Sequence, residues 1–153
     1  MTVEQLSKIE KQVLVRAPRA RVWRAITSAT EFSQWFRVKT KDEFRPGARV
    51  NLVSTFPGHK GFEFHFDIDE MVPERKFSWR WHPNAKADDP VADEQPTLVV
   101  FELEDAPGGT LVKVTESGFD HIALERRAKA FESNTRGWEL QTESLRKYVE
   151  QAA

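Results

Sequence analysis

Three stretches of the chain carry large apolar side chains at every second residue. Phe62, Phe64, Phe66 and Ile68 alternate with Glu63, His65, Asp67 and Asp69. Phe77, Trp79 and Trp81 alternate with Lys76, Ser78, Arg80 and His82, and Val99, Phe101 and Leu103 repeat the spacing. A period of two sends neighbouring side chains to opposite faces of an extended chain, so these runs predict β-strands with one buried, aromatic face. Turn-forming stretches bound them: Pro57-Gly58 before the first, Val72-Pro73-Glu74-Arg75 between the first and second, and Ala106-Pro107-Gly108-Gly109 after the third. Short turns between such strands indicate an antiparallel sheet. The aromatic content is high for a chain that is only 39% hydrophobic: 11 Phe, 5 Trp and 1 Tyr.

The remaining segments supply the other elements. Ile9, Val13 and Val15 share one side of a first strand, with Lys11 between them. Ala17-Pro18 ends that strand, and Pro18 suits the first position of a helix because its missing N–H costs nothing there. Val22, Trp23, Ala25 and Ile26 recur at helical spacing. Ser28 or Thr30 can then cap a second short helix carrying Phe32, Trp35 and Phe36 on one side. A weakly patterned strand is expected over Val38–Phe44, and a clearer one carries Val50, Leu52, Ser54 and Phe56 on one face. Val112 and Val114 mark the last strand. After Phe119, the residues Phe131, Asn134 or Thr135, Trp138, Gln141 or Thr142, Leu145, and Tyr148 or Val149 advance by threes and fours to the C-terminus. Gly137 interrupts this long helix at a cost of about 1 kcal/mol relative to Ala. The segment Pro83–Pro96, with Asp88, Asp89, Asp93 and Glu94, reads as an exposed loop or a lid, since loops of such length are uncommon in compact domains.

Composition narrows the function classes. A length of 153 residues fits one domain. With no cysteine, the chain has no disulfide, thiolate nucleophile or cysteine-containing zinc site. A net charge of −1 argues against a nucleic-acid partner, because phosphate-neutralising domains are usually basic. The longest apolar run, Leu98-Val99-Val100-Phe101, is far too short to span a bilayer. The N-terminus lacks the basic start and apolar core of a secretory signal, so a cytoplasmic protein is expected. His59, His65, His82 and His121 show no metal-ligand spacing, and no GxSxG, GxGxxG or P-loop pattern is present. The acidic loop lacks the spacing of an EF-hand.

A series of motifs runs in order down the chain. It opens with Ala17-Pro18-Arg19-Ala20-Arg21-Val22-Trp23-Arg24-Ala25-Ile26-Thr27 and Glu31-Phe32-Ser33-Gln34-Trp35-Phe36. Phe44-Arg45-Pro46-Gly47 and Val72-Pro73-Glu74-Arg75-Lys76-Phe77-Ser78-Trp79 follow in order. Gly109-Thr110, Thr115-Glu116-Ser117-Gly118-Phe119, Gly137-Trp138, Leu145 and Tyr148 close the series. Together they resemble the activator-of-Hsp90-ATPase-homologue-like family, although Ala48 stands where that family usually has a second glycine. The resemblance covers nearly all of the chain and implies one START-type (SRPBCC superfamily) domain over residues 1–153. It also implies an α+β helix-grip fold of the Bet v 1 kind: a curved antiparallel sheet of six to seven strands around a long C-terminal helix, with two short helices after the first strand. Members of the superfamily include lipid carriers, cyclases and aromatases, and co-chaperone domains. One fold hosting many activities requires that function be argued from the site.

The favoured expectation is a binding domain without a cofactor, holding a small apolar or aromatic ligand between sheet and C-terminal helix. Its expected lining is Trp35, Phe36, Phe64, Phe66, Trp79, Trp81, Phe101, Glu116, Asn134, Trp138, Gln141 and Thr142. Glu116 shares the inward face of Val112 and Val114, and an inward carboxylate among aromatics is a starting point for a general acid or base. Asn134, Gln141 and Thr142 place polar groups on the helix face that should be apolar if it met only dry core. The alternatives are a cyclase-, aromatase- or hydrolase-like enzyme using the same cavity, and an Hsp90-binding interaction domain. No catalytic or metal-binding residue is assigned, and no membrane partner is expected.

Overall fold

A computed structural model of the chain describes residues 7–83 and 95–151. Its elements in order are β1 (Lys8–Val15), α1 (Arg19–Thr27), α2 (Ala29–Phe36), β2 (Val38–Lys39), β3 (Arg49–Ser54), β4 (Glu63–Val72), β5 (Lys76–Trp81), β6 (Thr97–Ala106), β7 (Gly109–Ser117) and α3 (Leu124–Gln151). A short 3-10 turn, Phe119–His121, leads into α3. The acidic residues Asp88, Asp89, Asp93 and Glu94 lie outside the described residues.

The strands form one seven-stranded sheet in the order β1-β7-β6-β5-β4-β3-β2, antiparallel throughout. The α1–α2 pair carries the chain from the β1 edge to the β2 edge, and α3 packs against β1, α1 and α2. This is the α+β helix-grip architecture expected from the sequence. The alternation in β4 holds as far as Ile68, which pairs with Trp79, and then slips by one residue, so that Met71 pairs with Phe77. That bulge returns an apolar side chain to the buried face after Ile68-Asp69-Glu70 and adds local twist to the sheet.

Two local expectations are corrected. The strand anticipated over Val38–Phe44 is only Val38–Lys39. Lys39 to Glu43 has no apolar alternation to bury, and Asp42 instead accepts from the Asn51 backbone N–H at 2.8 Å, a side chain taking the place of a ladder partner. Pro18 is the N-cap of α1 rather than its first helical residue. Ser28 caps α2 by accepting from the Glu31 N–H, as anticipated.

Glu31 ties the three helices together. It accepts from Arg21 at 2.7 Å, from Arg24 at 2.8 Å and from the Tyr148 hydroxyl of α3 at 2.9 Å. Burial raises the pKa of its carboxyl, but the hydrogen bonds from Tyr148, Arg21 and Arg24 outweigh that effect and hold it below the ordinary value of 4.5. A depressed folded-state pKa contributes stability above the unfolded value, which is lost as pH falls through the folded one. Glu31→Gln is therefore expected to lower Tm at pH 7, with the gap to the parent closing as both are melted at progressively lower pH below about 4.5. A gap that stays constant with pH contradicts the assignment.

At the β6–β7 turn, Gly109 is fixed by a close approach of backbone. A Cβ built there lies 2.1 Å from the Val15 carbonyl oxygen. Next to it, Thr110 donates its hydroxyl to the Ala17 carbonyl at 2.8 Å. Gly109→Ala must push the end of β1 away, at a cost of about 2–3 kcal/mol, so calorimetry should show a Tm lower by about 4–12 °C.

Candidate functional site

The middle of the aromatic stripe is solid. Phe66 stacks on Trp79 with ring centroids 4.5 Å apart, Trp79 meets Phe101 at 5.5 Å, and Phe101 meets Trp138 of α3 at 5.7 Å. Phe32 enters from α2 and touches Phe66 and Trp79, each at 5.9 Å. Trp35 adds its indole N–H to the Ala25 carbonyl at 2.8 Å, which locks α2 on α1. Edge-to-face and offset contacts of this kind contribute beyond the area they bury.

The space opens toward one end of the sheet. A groove of about 1030 Å³ lies between the β3–β4–β5 end of the sheet, the C-terminal end of α2 and the first half of α3. Phe64 and Trp81 come from the sheet, Phe36 and Arg37 from the end of α2, and Asn134, Gly137, Trp138 and Gln141 from α3. Phe56 and Phe62, from the β3–β4 connection, close the outer side. Gly137 has no atom within 4 Å of where its Cβ would stand, so its place in α3 faces open space. The groove is of ligand size, since small-molecule pockets usually span about 300–1,000 Å³.

Beneath the groove sits Glu116. It is fully buried, with 0% exposure, and makes no ion pair among the described residues. Four neutral donors surround it instead. One carboxylate oxygen accepts from the Trp81 indole at 2.8 Å and the Thr97 hydroxyl at 2.5 Å. The other accepts from the Trp138 indole and the Asn134 amide, each at 2.8 Å. A carboxylate offers about four lone-pair sites, so this one is saturated. Because the two indoles belong to β5 and α3, Glu116 on β7 fixes both rings at the bottom of the groove, Trp81 partly exposed and Trp138 only 3% exposed.

Of the twelve residues singled out in the sequence, six line this groove: Phe36, Phe64, Trp81, Asn134, Trp138 and Gln141. Trp35, Phe66, Trp79 and Phe101 lie in the packed core without reaching the groove, whereas Phe36 and Trp138 belong to that core and border the groove as well. Glu116 lies under the groove floor, and Thr142 spends its hydroxyl on the Trp138 carbonyl at 2.8 Å. The polar residues of the α3 face serve protein groups. Gln141 donates to the Phe36 carbonyl at 3.1 Å and Ser144 to the Trp35 carbonyl at 2.6 Å. These are last-turn carbonyls of α2, which have no partner within their own helix. The sequence list omitted Phe56, Phe62, Arg37, Gly137 and the basic α3 residues Lys129 and Arg136, all of which line the groove. For Gly137 a signal existed: a helix-breaking residue on an inward-facing helix surface.

A profile of the activator of Hsp90 ATPase homolog 1-like proteins matches residues 16–150. The chain belongs to this family. Solved structures of the same fold include protein MLL2253 from Mesorhizobium loti, at a TM-score of 0.76 and 21% identity, covering 95% of this chain and 98% of that one. The Aha1 dimer from Colwellia psychrerythraea matches at a TM-score of 0.71 and 17% identity, covering 94% and 96%. DynU16, described as a putative protein in the dynemicin biosynthetic locus, matches at a TM-score of 0.71 and 20% identity, covering 95% of this chain and 48% of that one. At these identities the likeness establishes the fold alone. No curated protein matches the sequence. Among the described residues, no helix is long and apolar enough to cross a membrane, and no cluster of three metal-ligating side chains occurs.

Proposed function

We propose that this family member binds a small, largely apolar or aromatic ligand in the groove between sheet and α3. The observation that carries the reading is the groove floor: Trp81 and Trp138, held by Glu116, with ring centroids 6.1 Å apart. Holding both indoles through a shared carboxylate pre-orders the surface on which a ligand would lie, which removes an ordering cost from binding. A catalytic use of Glu116 is disfavoured by the same geometry. A general base needs a lone pair aimed at substrate, and all four of its sites meet protein donors.

Gly137 offers the test, because its absent side chain is what leaves that part of the groove open. Gly137→Ala is expected to raise stability by about 1 kcal/mol through helix propensity. Gly137→Leu should also keep the helix while filling the space above the tryptophans. The neutral fluorophore N-phenylnaphthylamine is expected to bind the parent protein and to bind Gly137→Leu at least about tenfold more weakly, a loss of about 1.4 kcal/mol. Equal binding to both proteins places the probe elsewhere and contradicts the reading.

A further inference from the structure

The groove is not only aromatic; its walls carry an excess of positive charge. Among the described residues, Arg37, Arg126, Lys129 and Arg136 line it against two carboxylates, Glu125 and Glu132, a net of +2 on a chain whose overall charge is −1. Arg126 is engaged with the Pro83 carbonyl at 3.1 Å. Lys129 and Arg136 form no ion pair with a described residue, although Glu132 lies between them on α3. Arg37 enters from the opposite wall. It stands in the left-handed conformation that ends α2, with φ 60°, and its guanidinium lies over the Phe56 ring at 5.3 Å. Cations therefore reach the groove from both of its helical walls, above a floor of indole rings.

We infer that the ligand is an amphipathic anion, whose apolar or aromatic body lies on Trp81 and Trp138 and whose anionic group meets Arg37, Lys129 and Arg136. This rests on the groove being the binding site. Carboxylate, sulfonate and phosphate groups share the chemistry required. A guanidinium offers each of them a fork of donors, and because Arg37, Lys129 and Arg136 are exposed their attraction is that of solvent-screened charges. Glu125 and Glu132 oppose it, so the preference is set by the excess cations rather than by one dedicated pair.

Two fluorophores with the same carbon skeleton separate this inference from the reading beneath it. Anilinonaphthalene sulfonate carries one negative charge, and N-phenylnaphthylamine is its neutral counterpart. The sulfonate is expected to bind at least about tenfold more tightly. Raising salt from about 0.05 to 0.5 M should weaken the sulfonate and leave the neutral probe nearly unchanged. Lys129→Gln and Arg136→Gln should each weaken the sulfonate by about 2–5-fold, the range of exposed charge pairs, and weaken it more than the neutral probe. Gly137→Leu should weaken both. If the neutral probe binds as well as the sulfonate and Gly137→Leu weakens both, the groove stands and the anionic preference is overturned. If Gly137→Leu affects neither, the groove reading fails and the inference falls with it.

Discussion

Glu116→Gln is expected to lower stability by about 3 kcal/mol and Tm by about 6–12 °C, a large loss for a change of one atom. The reason is the arrangement of donors around the carboxylate. Each oxygen accepts from one group that can reverse its role and from one that cannot. Thr97 can rotate its hydroxyl and Asn134 can flip its amide, but the Trp81 and Trp138 indoles only donate. Whichever oxygen becomes the glutamine NH₂, one indole N–H faces a donor in a buried place. Such unsatisfied pairs cost more than the hydrogen bond they replace. The released tryptophan should change the intrinsic fluorescence spectrum. A second substitution sharpens the argument: Trp138→Phe removes one of the donors that cannot adapt. Combined with Glu116→Gln it should cost less than the sum of the single changes. Strict additivity, or a Tm unaffected by Glu116→Gln, contradicts the four-donor account.

Phe32→Ala is expected to cost about 3–5 kcal/mol, the range for deleting a fully buried aromatic ring. Phe32 is completely buried and its ring meets Phe36 at 4.6 Å, Trp35 at 5.0 Å and Phe44 at 5.2 Å, in addition to Phe66 and Trp79. It pins α2 to the sheet, and the end of α2 is one wall of the groove. Chemical denaturation should show the loss. Phe62→Ala provides the contrast, since Phe62 lines the groove and is only partly buried. That variant should retain most of its stability while weakening the neutral probe. The opposite ranking of the two variants in stability would mean that core and groove have been assigned the wrong way round.

The sheet was legible in the sequence because its buried face is written at period two. Val112, Val114 and Glu116 fall inward together, and the structure buries all three. What surrounds Glu116 was not legible. Its donors come from β5, β6 and α3, separated from it by 18 to 35 positions in the chain, and no local pattern encodes such convergence. The polar residues on α3 were visible, but their partners were not. Gln141 and Thr142 suggested a solvent- or ligand-filled space, whereas the structure gives their donor groups to the carbonyls of Phe36 and Trp138. The β4 bulge left a trace in the sequence, two polar residues between Ile68 and Met71 where strict alternation has one. The basic walls of the groove left none, because Arg37 and Arg136 come to one groove only through the packing of α2 against α3.

The most direct test of the groove as a binding site uses the five tryptophans as separate reporters. Each indole N–H gives its own nitrogen–proton resonance. During titration with anilinonaphthalene sulfonate, the Trp81 and Trp138 indole signals should shift, because their rings form the floor. Trp35, bonded to the Ala25 carbonyl inside the core, should stay in place. Shifts confined to Trp23 or Trp35, or saturation of the probe with Trp81 and Trp138 unmoved, would contradict the account.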